Sequence, residues 1–441
     1  MHQSLLSFIV LACGMGALSL LTPCVFPMIP ITISYFVDHS VTSRGKALTN
    51  AFVYALGIIL TFTALGMVLA LVFGASGVNR LAANPWVNLV ITAIFMGFAF
   101  SLFGAFVIQV PHGLVSRLGG TTRHEGTSQL LGALIMGLVF TLTSFTCTAP
   151  FVGTLLVMAS RGNWKWPLIG MLSFSTVFAT PFFLFALMPQ VLRQLPKSGN
   201  WLNSIKVVMG FLEIAAAMKF LSNADLIWHW ELFTRQVVLA VWVAVGLLAG
   251  LYVLGKFQTT HDTIVPNVSA ARVLLALVFL AGSVWLGSGL LGHPLGEIEA
   301  FLPPPANQAA NAGDKTTAEP ASTQLTWILN DFPAAISQAK QEHRLVFIDF
   351  TGYTCTNCRW MEANIFPQAA IKASLSQFVR ARLYTDGDGQ PFTNQQKMES
   401  DKFGTVALPL YAIVRPDGST IATFPGLTRN PQQFLEFLAK R

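Results

Sequence analysis

Charge is scarce in this sequence of 441 residues: Asp, Glu, Lys and Arg together make up 11% of it. Soluble domains carry roughly 25% charged residues, so this chain cannot clothe itself in polar surface. Cysteine is scarce too, with five in all: Cys13, Cys24, Cys147, Cys355 and Cys358. Such a set is too small and wrongly spaced for a disulfide framework. It holds one C-x-x-C, at Cys355 and Cys358, and neither a second C-x-x-C nor an H-x₃₋₅-H completes a zinc site. A basic leader is missing before the first apolar run, which continues far past signal-peptide length and reads as a retained span. Phosphate loop, metal cluster and serine triad are all absent from the sequence pattern.

What is abundant is apolar: 53% of the residues, with Phe alone appearing 35 times. Lipid is the solvent such a chain needs over much of its length. Apolar runs recur at 5–36, 50–73, 86–110, 130–158, 167–189, 201–221, 236–255 and 271–291. Each is long enough to cross roughly 30 Å of hydrocarbon as a helix. The pattern predicts about eight spans. The net charge of +7 does not signal nucleic acid, because the basic residues sit in short loops between the runs. Arg44, Lys46, Arg117, Arg123, Arg193, Lys197, Lys256 and Arg272 fall in one set of alternate loops. Arg80, Arg161, Lys165 and Arg235 fall in the other. The richer set faces the cytoplasm by the positive-inside rule, which places both termini on the opposite side. The histidines His39, His112, His124 and His261 read as ordinary residues of the cytoplasmic loops.

The character changes after Leu291. Residues 293–324 read as a linker, most plainly the Pro/Ala/Asn/Thr stretch 303–324, which has almost nothing to bury. A flexible chain of about 25 residues reaches roughly 25–30 Å, enough for a tethered domain to travel. Residues 325–441 read as a small soluble α/β domain. Strands are predicted at 345–350 and 410–414, a turn at 416–418, and helices at 356–366 and 430–441. The expected organisation is therefore a transmembrane domain at 1–292, a linker at 293–324 and an α/β domain at 325–441.

Chemistry concentrates at the cysteines. Phe350 to Cys358 reads F-T-G-Y-T-C-T-N-C, between a strand and a helix. A helix N-terminus stabilises a thiolate and lowers its pKa below about 8.5. Cys355 is then placed to attack and Cys358, one turn on, to resolve the mixed disulfide. The alternative is half of a metal site.

A second pattern lies in the apolar part. Thr22-Pro23-Cys24-Val25-Phe26-Pro27 in the first run resembles Thr146-Cys147-Thr148-Ala149-Pro150 in the fourth. Three spans separate their starts, so the two copies cross the membrane in opposite directions. Proline-interrupted helices at matching places in inverted halves mark a midplane site; ordinary kinks at Pro23, Pro27 and Pro150 are the plainer reading. Cys24 and Cys147 are able to pair if their Cα atoms approach within about 7 Å. Cys13 lacks such a partner and reads as packing. Glu213 is an acid inside a predicted span, with Lys206 seven residues earlier on nearly the same face. It is either a proton acceptor during thiol exchange or half of a structural pair.

The C-terminal residues resemble the thioredoxins. Asp349 stands six residues before Cys355, as their buried acid does, and Leu408-Pro409 before a strand matches their cis-proline. Thr356-Asn357 replaces their Gly-Pro between the cysteines. The membrane part resembles the DsbD/CcdA family of transmembrane electron carriers, through P-C-V-F-P around Cys24 and C-T-A-P after Cys147. In that family these cysteines form a redox pair inside the bilayer. The two resemblances cover nearly the whole chain, without the N-terminal periplasmic domain that some members carry.

What the resemblance implies is a protein-disulfide reductase of the bacterial inner membrane. Cytoplasmic thioredoxin would be its electron donor, and the C-terminal domain would be periplasmic. Disulfide isomerases and cytochrome c maturation factors would be the acceptors. The redox-active cysteine pairs would serve in place of any bound cofactor, with lipid but not nucleic acid as a partner. The competing readings are an inverted-repeat transporter with a redox-sensing thioredoxin domain, a quinone-linked oxidase, and a non-catalytic assembly protein. The quinone enzyme normally needs a loop C-x-x-C that the membrane part lacks, and the intact Cys355–Cys358 motif argues against the assembly protein.

Overall fold

In the computed structural model, residues 5–20, 44–105, 165–187, 199–257, 268–304 and 325–440 are described, with isolated positions at 22, 25 and between 134 and 148. The apolar runs form helices α1 (Leu5–Ser19), α2 (Arg44–Ala83), α3 (Pro85–Leu102), α4 (Lys165–Leu187), α5 (Gly199–Trp228), α6 (Arg235–Val253) and α7 (Ala270–Leu290). Among the described residues, five helices are long and apolar enough to cross a membrane: those containing 48–68, 85–102, 165–184, 235–253 and 270–290. The long helix α5 carries Lys206, Glu213, Lys219 and Asp225 and is outside that set. Its length follows from more than hydropathy. It overshoots the predicted end at 221, and Asp225 accepts hydrogen bonds from the backbone N–H groups of Leu232 and Phe233, both at 3.1 Å. Lipid-facing positions stay apolar: on α7, Leu274, Leu277, Val278 and Val284 are all exposed. In water such a stripe would be a liability.

The chain divides into two compact units. The first comprises residues 1–78, 94–214 and 248–276. Its core is aromatic, with Phe8, Tyr54, Phe62, Phe140, Phe174, Phe178 and Phe182 buried. Phe174, Phe178 and Phe182 repeat every four residues on α4, so all three fall on one helical stripe. Small residues let the backbones meet: a Cβ on Gly16 of α1 would lie 2.6 Å from the Phe174 carbonyl oxygen. Close helix contact through glycine is the usual solution where lipid offers no hydrophobic drive.

The second unit comprises residues 79–93, 215–247 and 277–441. After α7 the chain forms a short 3₁₀ helix, Gly296–Phe301, inside the stretch expected to be linker. Residues 305–324 of that stretch lie outside the described residues. The α/β domain follows: β1 (Ile328–Leu329), α8 (Phe332–Glu342), β2 (Val346–Thr351), α9 (Thr356–Asn364), α10 (Ala369–Leu375), β3 (Val379–Tyr384), α11 (Phe392–Phe403), β4 (Leu410–Val414), β5 (Thr420–Pro425) and α12 (Pro431–Leu438).

The strands form one mixed sheet in the order β1-β3-β2-β4-β5. β2 runs parallel to β3 and antiparallel to β4. Every residue of β2 is buried, as a central strand covered on both faces requires. Phe347 faces a cluster with Trp360, Ile371, Tyr411, Phe434 and Phe437. Ile348 and Phe350 face the other layer, with Ala335, Ala339 and Leu383. This three-layer arrangement puts the C-terminal end of β2 directly before α9, where the C-x-x-C lies.

Candidate functional site

The site is built where β2 ends and α9 begins. Cys355 is the N-cap of α9, and its Sγ accepts a hydrogen bond from the Cys358 backbone N–H at 3.1 Å. The two sulfurs are joined as a disulfide, with Cα atoms 5.3 Å apart. Their surroundings differ. Cys355 is half-buried, whereas Cys358 is 1% exposed. An incoming thiolate can therefore reach the first sulfur and not the second. Once reduced, Cys355 sits at the positive end of a helix, which favours its thiolate.

The loop ahead of Cys355 is held from the end of β3. The buried Asp386 carboxylate accepts from Tyr353 N–H at 2.7 Å, Thr354 N–H at 3.0 Å and the Thr354 hydroxyl at 3.1 Å. Burial raises the pKa of Asp386, while the bonds from Thr354 and Tyr353 oppose the rise. Gly352 makes the approach possible, since a Cβ there would lie 2.6 Å from Asp386 Oδ2. Tyr353 stacks on Tyr384 with ring centroids 4.1 Å apart; burial pushes its phenol up to about 12. Pro409, joined to Leu408 by a cis peptide bond, precedes β4, and its carbonyl accepts from Gly426 N–H at 2.7 Å.

Behind the disulfide lies a buried chain of charges. Strand register sets Asp349 on β2 opposite Arg382 on β3, and Arg382 Nε reaches Asp349 Oδ2 at 2.9 Å. Arg382 Nη2 lies 3.6 Å from Glu362, which also pairs with Arg359 at 2.7 Å. Arg359 donates to the Gly352 carbonyl at 3.2 Å and so ties the network to the active loop. Arg382 also lies over the Trp327 ring, 4.3 Å from its centroid. Burial pushes Asp349 up to about 6; Arg382 pulls it down and Glu362 adds to the rise. Sequence reasoning found Asp349 and Pro409 but missed Arg359, Glu362, Arg382 and Asp386. The i, i+3 pair Arg359–Glu362 at the head of a predicted helix was the available signal.

The other expected residues fare differently. Cys24, Cys147, Pro23, Pro27 and Pro150 lie outside the described residues, as do the four loop histidines. Cys13 is a half-buried free thiol on α1. Glu213 is fully buried, and its carboxylate oxygens have no hydrogen-bond partner. Among the described residues it forms no ion pair, with Lys206 or otherwise. Lys219, also within the predicted span 201–221, escaped the sequence reading. The described residues contain no group of three His, Cys, Asp or Glu able to hold a metal ion.

Residues 5–224 match the family described as cytochrome C biogenesis protein transmembrane domain, and residues 332–441 match the thioredoxin-like domain family. The chain is 29% identical, over 85% of its length and 62% of the relative's, to a thiol:disulfide interchange protein DsbD from a Pseudomonas species. It is 30% identical, over 85% of its length and 61% of the relative's, to DsbD 2 of Pseudomonas aeruginosa. With DsbD of Vibrio cholerae the identity is 28%, over 84% and 56% of the two lengths. The chain thus spans about three-fifths of the length of these relatives. A membrane domain of one family and a C-terminal thioredoxin-like domain bearing a redox disulfide, with relatives named DsbD aligned over 85% of the chain, place the chain in the DsbD/CcdA family.

Proposed function

We propose that this protein is a protein-disulfide reductase that carries reducing equivalents across the bacterial inner membrane, from cytoplasmic thioredoxin to periplasmic disulfides. The observation that carries the reading is the asymmetric disulfide at the head of α9: Cys355 accessible, Cys358 buried, and the first at a helix N-terminus. Three exchanges make up the path. A thioredoxin thiolate attacks a Cys24–Cys147 disulfide, and its second thiol resolves the mixed disulfide. The freed thiols of Cys24 and Cys147 reduce Cys355–Cys358 in the same way. Cys355 then attacks a substrate disulfide, and Cys358 expels the reduced product. Each exchange moves two electrons and two protons, breaks one S–S bond and forms another.

The redox-active cysteine pairs carry every step, and no bound cofactor or metal takes part. Pro23, Pro27 and Pro150, beside the membrane cysteines in the sequence, each lack the backbone N–H that a helix uses, which suits a place where a thiolate must enter. Glu213, buried without a hydrogen-bond partner, accepts a proton released during exchange. Asp349 serves the same purpose at Cys358, and the cis peptide at Pro409 shapes the surface that receives substrate. The acceptors are disulfide isomerases and cytochrome c maturation factors.

The test uses the full chain in sealed vesicles, with reduced thioredoxin supplied on the cytoplasmic face and thiols trapped by acid and alkylation. Appearance of Cys355 and Cys358 thiols only with thioredoxin present supports the path. A Cys355–Cys358 disulfide that stays oxidised while thioredoxin is consumed contradicts it.

A further inference from the structure

Gln395 and Glu399 lie four residues apart on α11 and so share one stripe of the helix. Both are buried: Gln395 is 6% exposed and Glu399 0%. Their polar atoms are out of balance. The two Glu399 carboxylate oxygens and Gln395 Oε1 are all acceptors, and among the described residues no donor reaches any of them. The layer between α11 and the sheet is apolar, built from Ala335, Ala339, Phe350, Leu383, Met398 and Phe403. Nearby charges are engaged elsewhere. Lys397, Asp401 and Lys402 on α11 are exposed, as are Asp331 and Lys340 at the two ends of α8. On β3, Arg382 is taken by Asp349 and Arg380 by the Thr326 carbonyl, and beyond it Asp386 is taken by the active loop. A bare carboxylate in such a layer is costly, and the group keeps its proton instead. Burial raises the Glu399 pKa well above 4.5.

The amide of Gln395 leads to the active loop. Its Nε2 donates to the Asn330 carbonyl at 3.0 Å. Asn330 has φ 55°, a left-handed conformation that Asn adopts more readily than most residues. Its N–H donates to the Arg382 carbonyl at 2.9 Å, and its Oδ1 accepts from Tyr384 N–H at 3.0 Å. Tyr384 is the residue on which Tyr353 stacks, and Tyr353 stands two positions before Cys355. Phe392, in the first turn of α11, meets the Tyr353 ring edge to face at 5.9 Å. Phe392, Gln395 and Glu399 fall on one stripe of α11, so that stripe supports the tyrosine pair beside the nucleophile.

We infer that Glu399 is a positioning residue for thiol exchange at Cys355: its carboxyl O–H donates to Gln395 Oε1 and fixes the amide that holds Asn330, and through it Tyr384 and Tyr353. One proton restores the balance, turning two facing acceptors into a donor and an acceptor. Without it the Gln395 amide is held at one end only, and the support for the tyrosine pair weakens. The donor is present while Glu399 is protonated and is lost as pH rises through its folded pKa. The inference rests on exchange at Cys355, as proposed above, and not on delivery of electrons by the membrane cysteines.

The experiment uses the full oxidised chain in lipid nanodiscs, with dithiothreitol as reductant and alkylation after acid quench to follow Cys355–Cys358. At pH 7, Glu399→Leu removes the donor and should slow reduction about fivefold. Glu399→Gln supplies an amide N–H as donor and should stay within about twofold of wild type. Gln395→Met should slow reduction as Glu399→Leu does, and the double variant should be no slower than Gln395→Met alone. The pH profile is read as the wild-type rate relative to Glu399→Gln, a ratio in which the titration of the thiols cancels. It should be flat near neutral pH and fall about fivefold by about pH 10. Hydrogen exchange locates the loss: in Glu399→Leu the amides of Asn330 and Tyr384 should exchange faster, while those of β2 and β4 stay protected. A ratio that stays flat to about pH 10 overturns the inference whether or not Glu399→Leu folds. So do additive losses in the double variant, which would make Glu399 act apart from Gln395, and so does a Glu399→Leu chain as fast as wild type. A wild-type disulfide that dithiothreitol leaves oxidised contradicts exchange at Cys355 itself. Protection at Asn330 and Tyr384 then still decides the positioning: faster exchange in Glu399→Leu supports it, and unchanged exchange overturns it.

Discussion

Replacing Arg382 by Met tests the buried charge chain behind the disulfide. The arginine is the direct partner of Asp349, whose side chain is 1% exposed. Met keeps an apolar stem but removes the positive charge and the guanidinium that lies over Trp327. Breaking one side of a buried pair costs about 3–5 kcal/mol, because the remaining charge is left uncompensated. For a domain of this size that lowers Tm by about 10 °C or more. The effect should depend on pH. Asp349 titrates at about 6 in the folded domain against an ordinary value of 3.8. A carboxyl with a raised folded pKa contributes stability that is complete below about 3.8 and is lost as pH rises through 6. Without Arg382 the folded pKa rises further. At pH 8 the variant must either bury an unpaired carboxylate or take up a proton, whereas at pH 5 Asp349 is already largely neutral in both proteins. The loss should therefore be larger at pH 8 than at pH 5, and adding Asp349→Asn should recover part of it. Urea unfolding of residues 325–441 at the two pH values measures this. Equal losses at both, or a loss below about 1 kcal/mol at pH 8, would refute the reasoning.

Other perturbations probe the remaining parts. In the reduced domain near neutral pH, iodoacetamide should modify Cys355 at least tenfold faster than Cys358, since only Cys355 is accessible; mass mapping decides the order. Gly352→Ala places a methyl group against Asp386 and breaks hydrogen bonds to a charged group, each contributing about 1.5–3 kcal/mol. The domain should stay folded by circular dichroism while exchange at Cys355 slows about tenfold or more. Reporter fusions after Gln324 should be active only in an extracytoplasmic format, and a cytoplasmic signal there would break the proposed relay.

Local pattern carried the sequence reading a long way. The strand expected at 345–350 forms at Val346–Thr351, the helix expected at 356–366 at Thr356–Asn364, and Leu410–Val414 is a strand as read. Each is a short element whose own residues decide it. β3 went unread because V-R-A-R-L-Y alternates apolar residues with two arginines and resembles a polar segment. Arg382 is buried only because strand pairing sets it opposite Asp349, 33 positions away. The Asp386 clamp spans a similar distance. The 3₁₀ helix was hidden by Pro- and Gly-rich surroundings, and the partner that orders it, Arg235, is 64 residues upstream of Glu299. Long-range partners are what one sequence conceals. Composition and span length sufficed for a set of long apolar helices, and the C-x-x-C for the redox disulfide; the segments around Cys24 and Cys147 lie outside the described residues.

The central claim is that electrons reach the C-terminal domain through the membrane cysteines. Its most direct test is the redox state of Cys355 and Cys358 in growing cells, read by alkylation and gel shift, in the native chain and in Cys24→Ala/Cys147→Ala, with Cys13→Ala as control. The relay predicts thiols in the native and Cys13→Ala chains, and a disulfide in the double variant. Thiols at Cys355 and Cys358 in the double variant would contradict it.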